Sequence, residues 1–457
     1  MITISQKIAD WASRVKFSDL TAEAIQAAKV ILYDSLGTAL GGYKTPDVGI
    51  MRAYLEEKGG VEESTVIGSG KKLPASEAAL LNTLMVRALD YNDIYWKQDP
   101  CHPSDIIPGP LALGERLNKD GKDLILAIAV GHEIEMRLCE AAFPGIRERK
   151  WHHATLTAFA APVSCGVIMG LNAEQIAHAI GISGSCHATL GAVTAGKLTM
   201  MKNTVDPLAT QSGVFAAELA ARGYEGPEHV IEGKEGLFQC FGPEWKGAIL
   251  TTGLGESWRI SQCGLKAFPT EALTHTPLTA LIEIMTENNL QPEQVQSVLI
   301  KTIARAADIL SDPSKYNPQT RESADHSLPY CLSVAIVDRA VTPSSFDKEK
   351  IFDPLIRAQL KKIKVVADPE FEALFPKMQP CEIIIETSDS RAIKKRVDYP
   401  MGDPRHPISE SGLETKFRSL AAGVLSPERQ RKIKETVFSL DQKGSIRDLL
   451  RLVITDL

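Results

Sequence analysis

The sequence predicts a mainly α protein, with a large all-helical domain and a smaller inserted α+β domain. Three observations predict this. Residues 1 to 265 repeat apolar side chains at three- and four-residue spacing, punctuated by helix start and stop signals. Beyond 265, short β-branched runs interrupt that spacing. From "SESGLETKFRSLAAGVL" onward the helical spacing returns. The helical domain is therefore expected over 1–265, completed by 405–457, and the α+β domain over 266–404. A chain of 457 residues is long enough for two or three domains.

The elements can be justified in order. "TAEAIQAAKVILYDSLGTALGG" opens on Thr21 as a cap, places Glu23 in the first turn and stops at Gly41-Gly42. "SEAALLNTLMVR" continues to Leu89 as an apolar helix. "DLILAIAVGHEIEMRLCEAAF" is a third helix. "NAEQIAHAIGISG" begins with Asn172 and carries Gln175 three residues later, a capping box. "DPLATQSGVFAAELAARG" offers Asp206 as cap, Pro207 at the first helical position and Gly223 at the stop. Strands are expected at 297–304, 362–368, 381–389 and 392–399, the last two forming a hairpin around "SDSR". "PLTALIEIMTEN" and "SLPYCLSVAIVDRAV" are helices between them.

Composition excludes several function classes. Lys plus Arg is 51 and Asp plus Glu is 57, giving a formal charge of −6. With no dense basic run there is no footprint for nucleic acid. A weak overall field still leaves room for an anionic substrate held by a few local cations. The eight cysteines include no C-x-x-C, so neither a zinc knuckle nor an iron–sulfur cluster is written here. The N-terminus has no apolar core of a signal peptide, and reduced thiols in the cytoplasm are expected. From Trp151 to Gly196 the only formal charge is Glu174. That stretch carries four histidines and Pro162 and is short for a span, so helices buried on all sides are expected rather than membrane contact.

Candidate chemistry concentrates in a few places. In "ALDYNDIYWKQDPCHPSD" (88–105), Pro100 and Pro103 deny a continued helix, so Asp90, Asp93 and His102 fall on a helix end and the loop after it. Asp and Pro are also ordinary turn formers. In "RKWHHATLTAF", His152 and His153 start an apolar helix, and adjacent residues about 100° apart leave one of them facing a given cavity. Lys202 precedes the expected helix start at Asp206, where free N–H groups suit a carboxylate or phosphate. In the second domain, Lys266 and His275 share "GLKAFPTEALTHTP". There too, His326 and Tyr330 sit four apart after a cap at Ser323 or Asp325, which places both on one helix face. "GSGKK" lacks P-loop spacing, and neither H-E-x-x-H nor G-x-S-x-G occurs. No His or Asp pair within an expected helix has the i, i+3 or i, i+4 spacing of metal ligands.

Five fragments in order carry a resemblance: "DYNDIYWKQDPCHPSDIIPGPLALGE", "KWHHATLTAF", "MMKNTVDPLATQSGVFAAELAARGYEGP", "LKAFPTEALTHTP" and "ADHSLPYCLSVAIVD". With "YPMGDPRHPISESGLETKF" near the end, the chain resembles the MmgE/PrpD family over nearly its whole length. The resemblance implies a homodimer whose α+β domain acts as a lid. It also implies cofactor-free and metal-free lyase or isomerase chemistry on small di- or tricarboxylates. Family active-site positions match Asp90, His102, His152, Lys202, Lys266 and Tyr330, with His275 and His326 in matching motifs. The chain departs from the pattern at Asp93-Ile94, at Trp151-His152-His153-Ala154 and at Val205-Asp206-Pro207. Those positions bear on the substrate more than on the reaction type.

The first expectation is dehydration of a tricarboxylate of the 2-methylcitrate type. His102 and His152 would exchange protons with substrate, with Asp90 orienting one of them and Tyr330 donating. Lys202, Lys266, His275 and His326 would hold the carboxylates. Decarboxylation of cis-aconitate or epimerisation of iminodisuccinate works at the same kind of carbon and is the near alternative. A metal-dependent hydrolase and a non-catalytic carboxylate-binding protein are the distant ones.

Overall fold

The computed structural model describes residues 2–195, 198–242 and 244–455. Gly196, which closes the charge-poor stretch, lies outside the described residues. The chain divides into two compact units: Met1–Gly196, Met200–Cys263 and Ser409–Leu457 form the first, and Lys197–Thr199 with Gly264–Ile408 the second.

The first unit is helical. Its principal helices are α1 (Ala22–Gly42), α2 (Ala75–Arg87), α3 (Pro108–Arg116), α4 (Gly121–Ala141), α5 (Ala154–Met169), α6 (Ala173–Cys186) and α7 (Met201–Ala220). Thr21 caps α1 by accepting from the Ala24 amide, and Asn172 and Gln175 close the expected capping box on α6. A short hairpin, β1 (Asp93–Trp96) with β2 (Pro100–Cys101), follows α2 and pairs Tyr95 with Cys101. Helix α5 is buried along almost its whole length and packs on α4, α6 and α7. Among the described residues no helix is long and apolar enough to cross a membrane.

The α5–α7 contact depends on one glycine. A Cβ at Gly213 of α7 would lie 2.6 Å from the Ala161 Cβ and 2.9 Å from its carbonyl carbon in α5. Only a residue without a side chain lets the two backbones approach so closely.

Helix α7 differs from the sequence expectation. It begins at Met201, not after Asp206, so Pro207 lies inside it and Lys202 lies in its first turn. Asp206 is therefore not a cap. It is 1% exposed and engaged with charged groups of other elements, a tertiary role that local cap preference cannot report.

The second unit holds helices α8 (His275–Glu287) and α9 (Leu328–Asp338) and a four-stranded sheet. Its strands are β3 (Val295–Thr302), β4 (Ile363–Ala367), β5 (Cys381–Thr387) and β6 (Ala392–Val397), in the order β4-β3-β5-β6. Strand β4 runs parallel to β3, while β5 and β6 form the expected antiparallel hairpin. Helix α8 covers β5 and β6. Here too a helix start is displaced: the cap of α9 is Ser327, accepting from the Tyr330 amide, with Pro329 in the first turn. His326 thus precedes the helix, and the expected shared face of His326 and Tyr330 is not formed.

Replacing Gly213 by alanine should destabilise the first unit by about 1–3 kcal/mol through overpacking against Ala161. A fall of several degrees in the thermal midpoint is expected; an unchanged midpoint would show that α5 and α7 yield at no cost.

Candidate functional site

Helix α2 ends at Arg87, and the chain turns through Asp90, whose φ of 48° lies in the left-handed region. Aspartate tolerates that region better than most residues, and non-glycine strain of this kind clusters at functional positions. The turn brings Asp90 back to its own helix end, where Arg87 donates to Asp90 Oδ1 at 2.6 Å. Lys202, from the first turn of α7, donates to the other oxygen at 2.9 Å. Arg87 Nε also lies 3.5 Å from Asp105 and 3.6 Å from Asp206. All five side chains are buried.

The cluster therefore holds two cations and three carboxyl groups. Burial, aided by repulsion from Asp206 and Asp93, pushes the Asp105 carboxyl well above its ordinary range, against the pull of Arg87. Burial also opposes charge on Asp206, but the neighbouring His153 ring and the Arg87 cation hold it well below the usual range. The two carboxyls are thus pushed in opposite directions, Asp206 toward its ionised form and Asp105 toward its protonated one. Arg87 and Lys202 are the cations set against the Asp90 and Asp206 carboxyls.

Beside this cluster three imidazoles meet. The His152 and His153 ring centroids are 3.9 Å apart, and those of His102 and His153 5.3 Å. The expectation that only one of the adjacent pair faces this place is corrected: both precede the first turn of α5, before helical geometry separates them. His153 Nε2 lies 3.5 Å from Asp206 Oδ2. Burial pulls His152 well below its usual range, with the neighbouring His153 adding to the effect, so it is neutral near pH 7.

The hydrogen bonds assign opposite tautomers. His102 Nδ1 lies 2.6 Å from the Asp93 carbonyl oxygen, which can only accept, so Nδ1 carries the proton and Nε2 the lone pair. His152 Nδ1 accepts from the Ala154 amide at 3.2 Å, so its neutral ring carries the proton on Nε2. That Nε2, both nitrogens of His153 and Asp206 Oδ2 are buried without a hydrogen-bond partner. Buried polar groups are rarely left so, and a cluster of them suits a polar ligand. His152, His153 and Asp206 also present three donor atoms of a kind that bind metals. The adjacent Arg87 cation weighs against a second positive charge there.

The four positions expected in the first unit, Asp90, His102, His152 and Lys202, thus gather in one buried region. The other four lie in the second unit. Lys266 Nζ donates to the Thr270 carbonyl at 3.1 Å, and His275 Nε2 lies 3.4 Å from the same oxygen. His326 pairs with Asp325, and the Tyr330 hydroxyl donates to the Ser345 carbonyl at 2.7 Å. Tyr330 is fully buried, so its donor is engaged within its own unit. The sequence reading missed Arg87, Asp105 and Asp206 as members of the charge cluster and gave His153 no role. The one available signal was the crowding of acids within three residues of Arg87 and His102.

Comparison with known proteins supplies the lineage. The MmgE/PrpD N-terminal domain matches residues 6–247 and the MmgE/PrpD C-terminal domain residues 268–442. The chain belongs to the MmgE/PrpD family. It is 26% identical to a cis-aconitate decarboxylase of Aspergillus terreus over 98% of this chain and 96% of that one. It is 27% identical to the human cis-aconitate decarboxylase, over 96% and 92% of the two chains. Against the 2-methylcitrate dehydratase of Escherichia coli (strain K12) the identity is 24%, over 92% and 90%.

Arg87→Met should cost about 3–5 kcal/mol at pH 7.5, because it strands buried carboxylates. The gap to wild type should narrow at pH 5, where those carboxylates take up protons; urea unfolding at both pH values measures it. His152 has a folded pKa below its unfolded value, so its contribution to stability is present above about pH 6.5 and lost as pH falls. His152→Gln should remove up to about 1.4 kcal/mol per pH unit from that acid slope.

Proposed function

We propose that this MmgE/PrpD family member is a lyase acting by acid–base catalysis at the carbon α to a carboxylate of a small di- or tricarboxylate. The observation that carries the reading is the pair of opposite tautomers. His102 offers a lone pair at Nε2 and is the base that removes the proton. His152 offers Nε2–H and is the donor toward a developing oxyanion or a leaving hydroxyl. A neutral imidazole serves as such a donor because burial keeps it from ionising first. When His102 takes a proton, the imidazolium lies against His153, and the Asp206 carboxylate supplies compensating charge. Lys202 and Arg87, both paired with Asp90, are the candidate donors to a substrate carboxylate.

Dehydration of a 2-methylcitrate-type acid is the reading that uses both histidines, since one proton leaves carbon and one reaches the departing hydroxyl. Decarboxylation of a cis-aconitate-type acid is the second reading. The higher identity to decarboxylases, 26–27% against 24%, favours it. It needs a single proton delivered to carbon after carbon dioxide departs. Lys266, His275 and His326 are retained as substrate-binding candidates on the family motifs alone.

The test is a panel of citrate, 2-methylcitrate, cis-aconitate and iminodisuccinate. Enoate absorbance, released carbon dioxide and NMR for epimerisation are followed. Turnover of one acid is expected, with kcat reduced about 10²-fold or more in His102→Ala. Near-normal kcat in a folded His102→Ala protein would remove that residue, and inertness toward all four acids would remove the substrate class.

A further inference from the structure

Behind the His102 loop lies a second cluster that the proposed reaction does not use. Asp93, His132 and Cys263 place one carboxylate oxygen, one ring nitrogen and one sulfur within 4.8 Å of one another. Asp93 and His132 are fully buried. We propose that these three side chains form a binding site for a thiophilic divalent cation of the zinc type.

The argument starts from His132. Its Nδ1 lies 2.9 Å from the Ile128 carbonyl oxygen, so Nδ1 carries the proton and Nε2 the lone pair. That Nε2 is buried without a hydrogen-bond partner and lies 3.5 Å from Asp93 Oδ2. A lone pair facing a carboxylate oxygen is unfavourable, and either a proton on Nε2 or a metal cation between the two atoms relieves it. A ring fixed through Nδ1 to a backbone carbonyl, with Nε2 presented inward, is the usual posture of a ligating histidine.

The Cys263 thiol donates to the same oxygen, with Sγ at 3.3 Å. Tetrahedral geometry with ordinary zinc bond lengths gives donor separations of about 3.3 Å for N···O and about 3.5 Å for S···O. The observed 3.5 and 3.3 Å are close to those edges. The carboxylate is already oriented: Asp93 accepts from the Ser104 amide at 2.9 Å and from its hydroxyl at 2.6 Å. Three protein ligands leave a fourth position for water.

The surrounding field agrees. Asp34, Asp105 and Glu135 all feel the Asp93 charge, against Lys416 on the other side. Binding displaces the Cys263 thiol proton to solvent and leaves a thiolate on the metal, so uptake strengthens as pH rises.

Cobalt(II) is the probe, because thiolate ligation gives it a near-ultraviolet charge-transfer band. Chelator-treated full-length protein is titrated with cobalt(II) in a Cys186→Ser, Cys240→Ser background, which removes the two exposed thiols. One equivalent should bind with the thiolate band and tetrahedral visible bands. Cys263→Ser should abolish the thiolate band, and His132→Ala should weaken binding about tenfold or more. X-ray absorption of the zinc-loaded protein needs none of the core substitutions and should show one sulfur among nitrogen and oxygen ligands. No bound metal, an all-nitrogen/oxygen shell, or a thiolate band that survives Cys263→Ser would overturn the site.

Discussion

One buried guanidinium organises the first unit. Arg87 closes helix α2 and meets carboxyl groups from the turn after it, from the loop beyond the hairpin and from the middle of α7. An arginine can do this because its planar fork offers five donors and never loses its charge. Without it, three carboxyl groups would share a region from which water is excluded. With it, and with Lys202, the carboxyls have cations beside them, and burial and neighbours push Asp105 and Asp206 in opposite directions. The imidazoles of His102, His152 and His153 sit beside this arrangement, and burial there lowers the pKa of His152 and His153.

The opposite tautomers of His102 and His152 come from backbone, not side chains. A carbonyl at Asp93 faces one ring and an amide at Ala154 faces the other. Backbone groups do not titrate, so the assignment holds wherever the two rings are neutral. Asp93 has a double part: its carbonyl fixes the His102 ring while its carboxylate grips Ser104. The two ends of the His102–Pro103–Ser104 segment are thereby tied to one residue of β1.

Much of the scaffold was legible in the sequence because the signals are local. The Thr21 cap, the Asn172–Gln175 capping box and the β5–β6 hairpin depend on neighbours a few residues away. The His-Pro loop was legible for the same reason. What escaped depends on partners far along the chain. Asp206 beside Pro207 has the grammar of a helix start, yet its use is to face Arg87 and His153. Arg87 reads as a cation that suits a helix C-terminus, and nothing local distinguishes a solvated arginine from one gripping three acids. His326 was assigned to the face of α9 because spacing cannot tell a cap from a first turn when Ser323, Asp325 and Ser327 all qualify.

The contact at Gly213 reaches further than its own packing. His153 stands at the head of α5, eight residues before Ala161, and Asp206 lies in α7, seven residues before Gly213. Both side chains are therefore carried about 11–12 Å from the point where the two backbones touch. The helices act as a pair of arms pinned at that point. The gap between imidazole and carboxylate is inherited from a fulcrum with no polar group in it, two turns away along each helix.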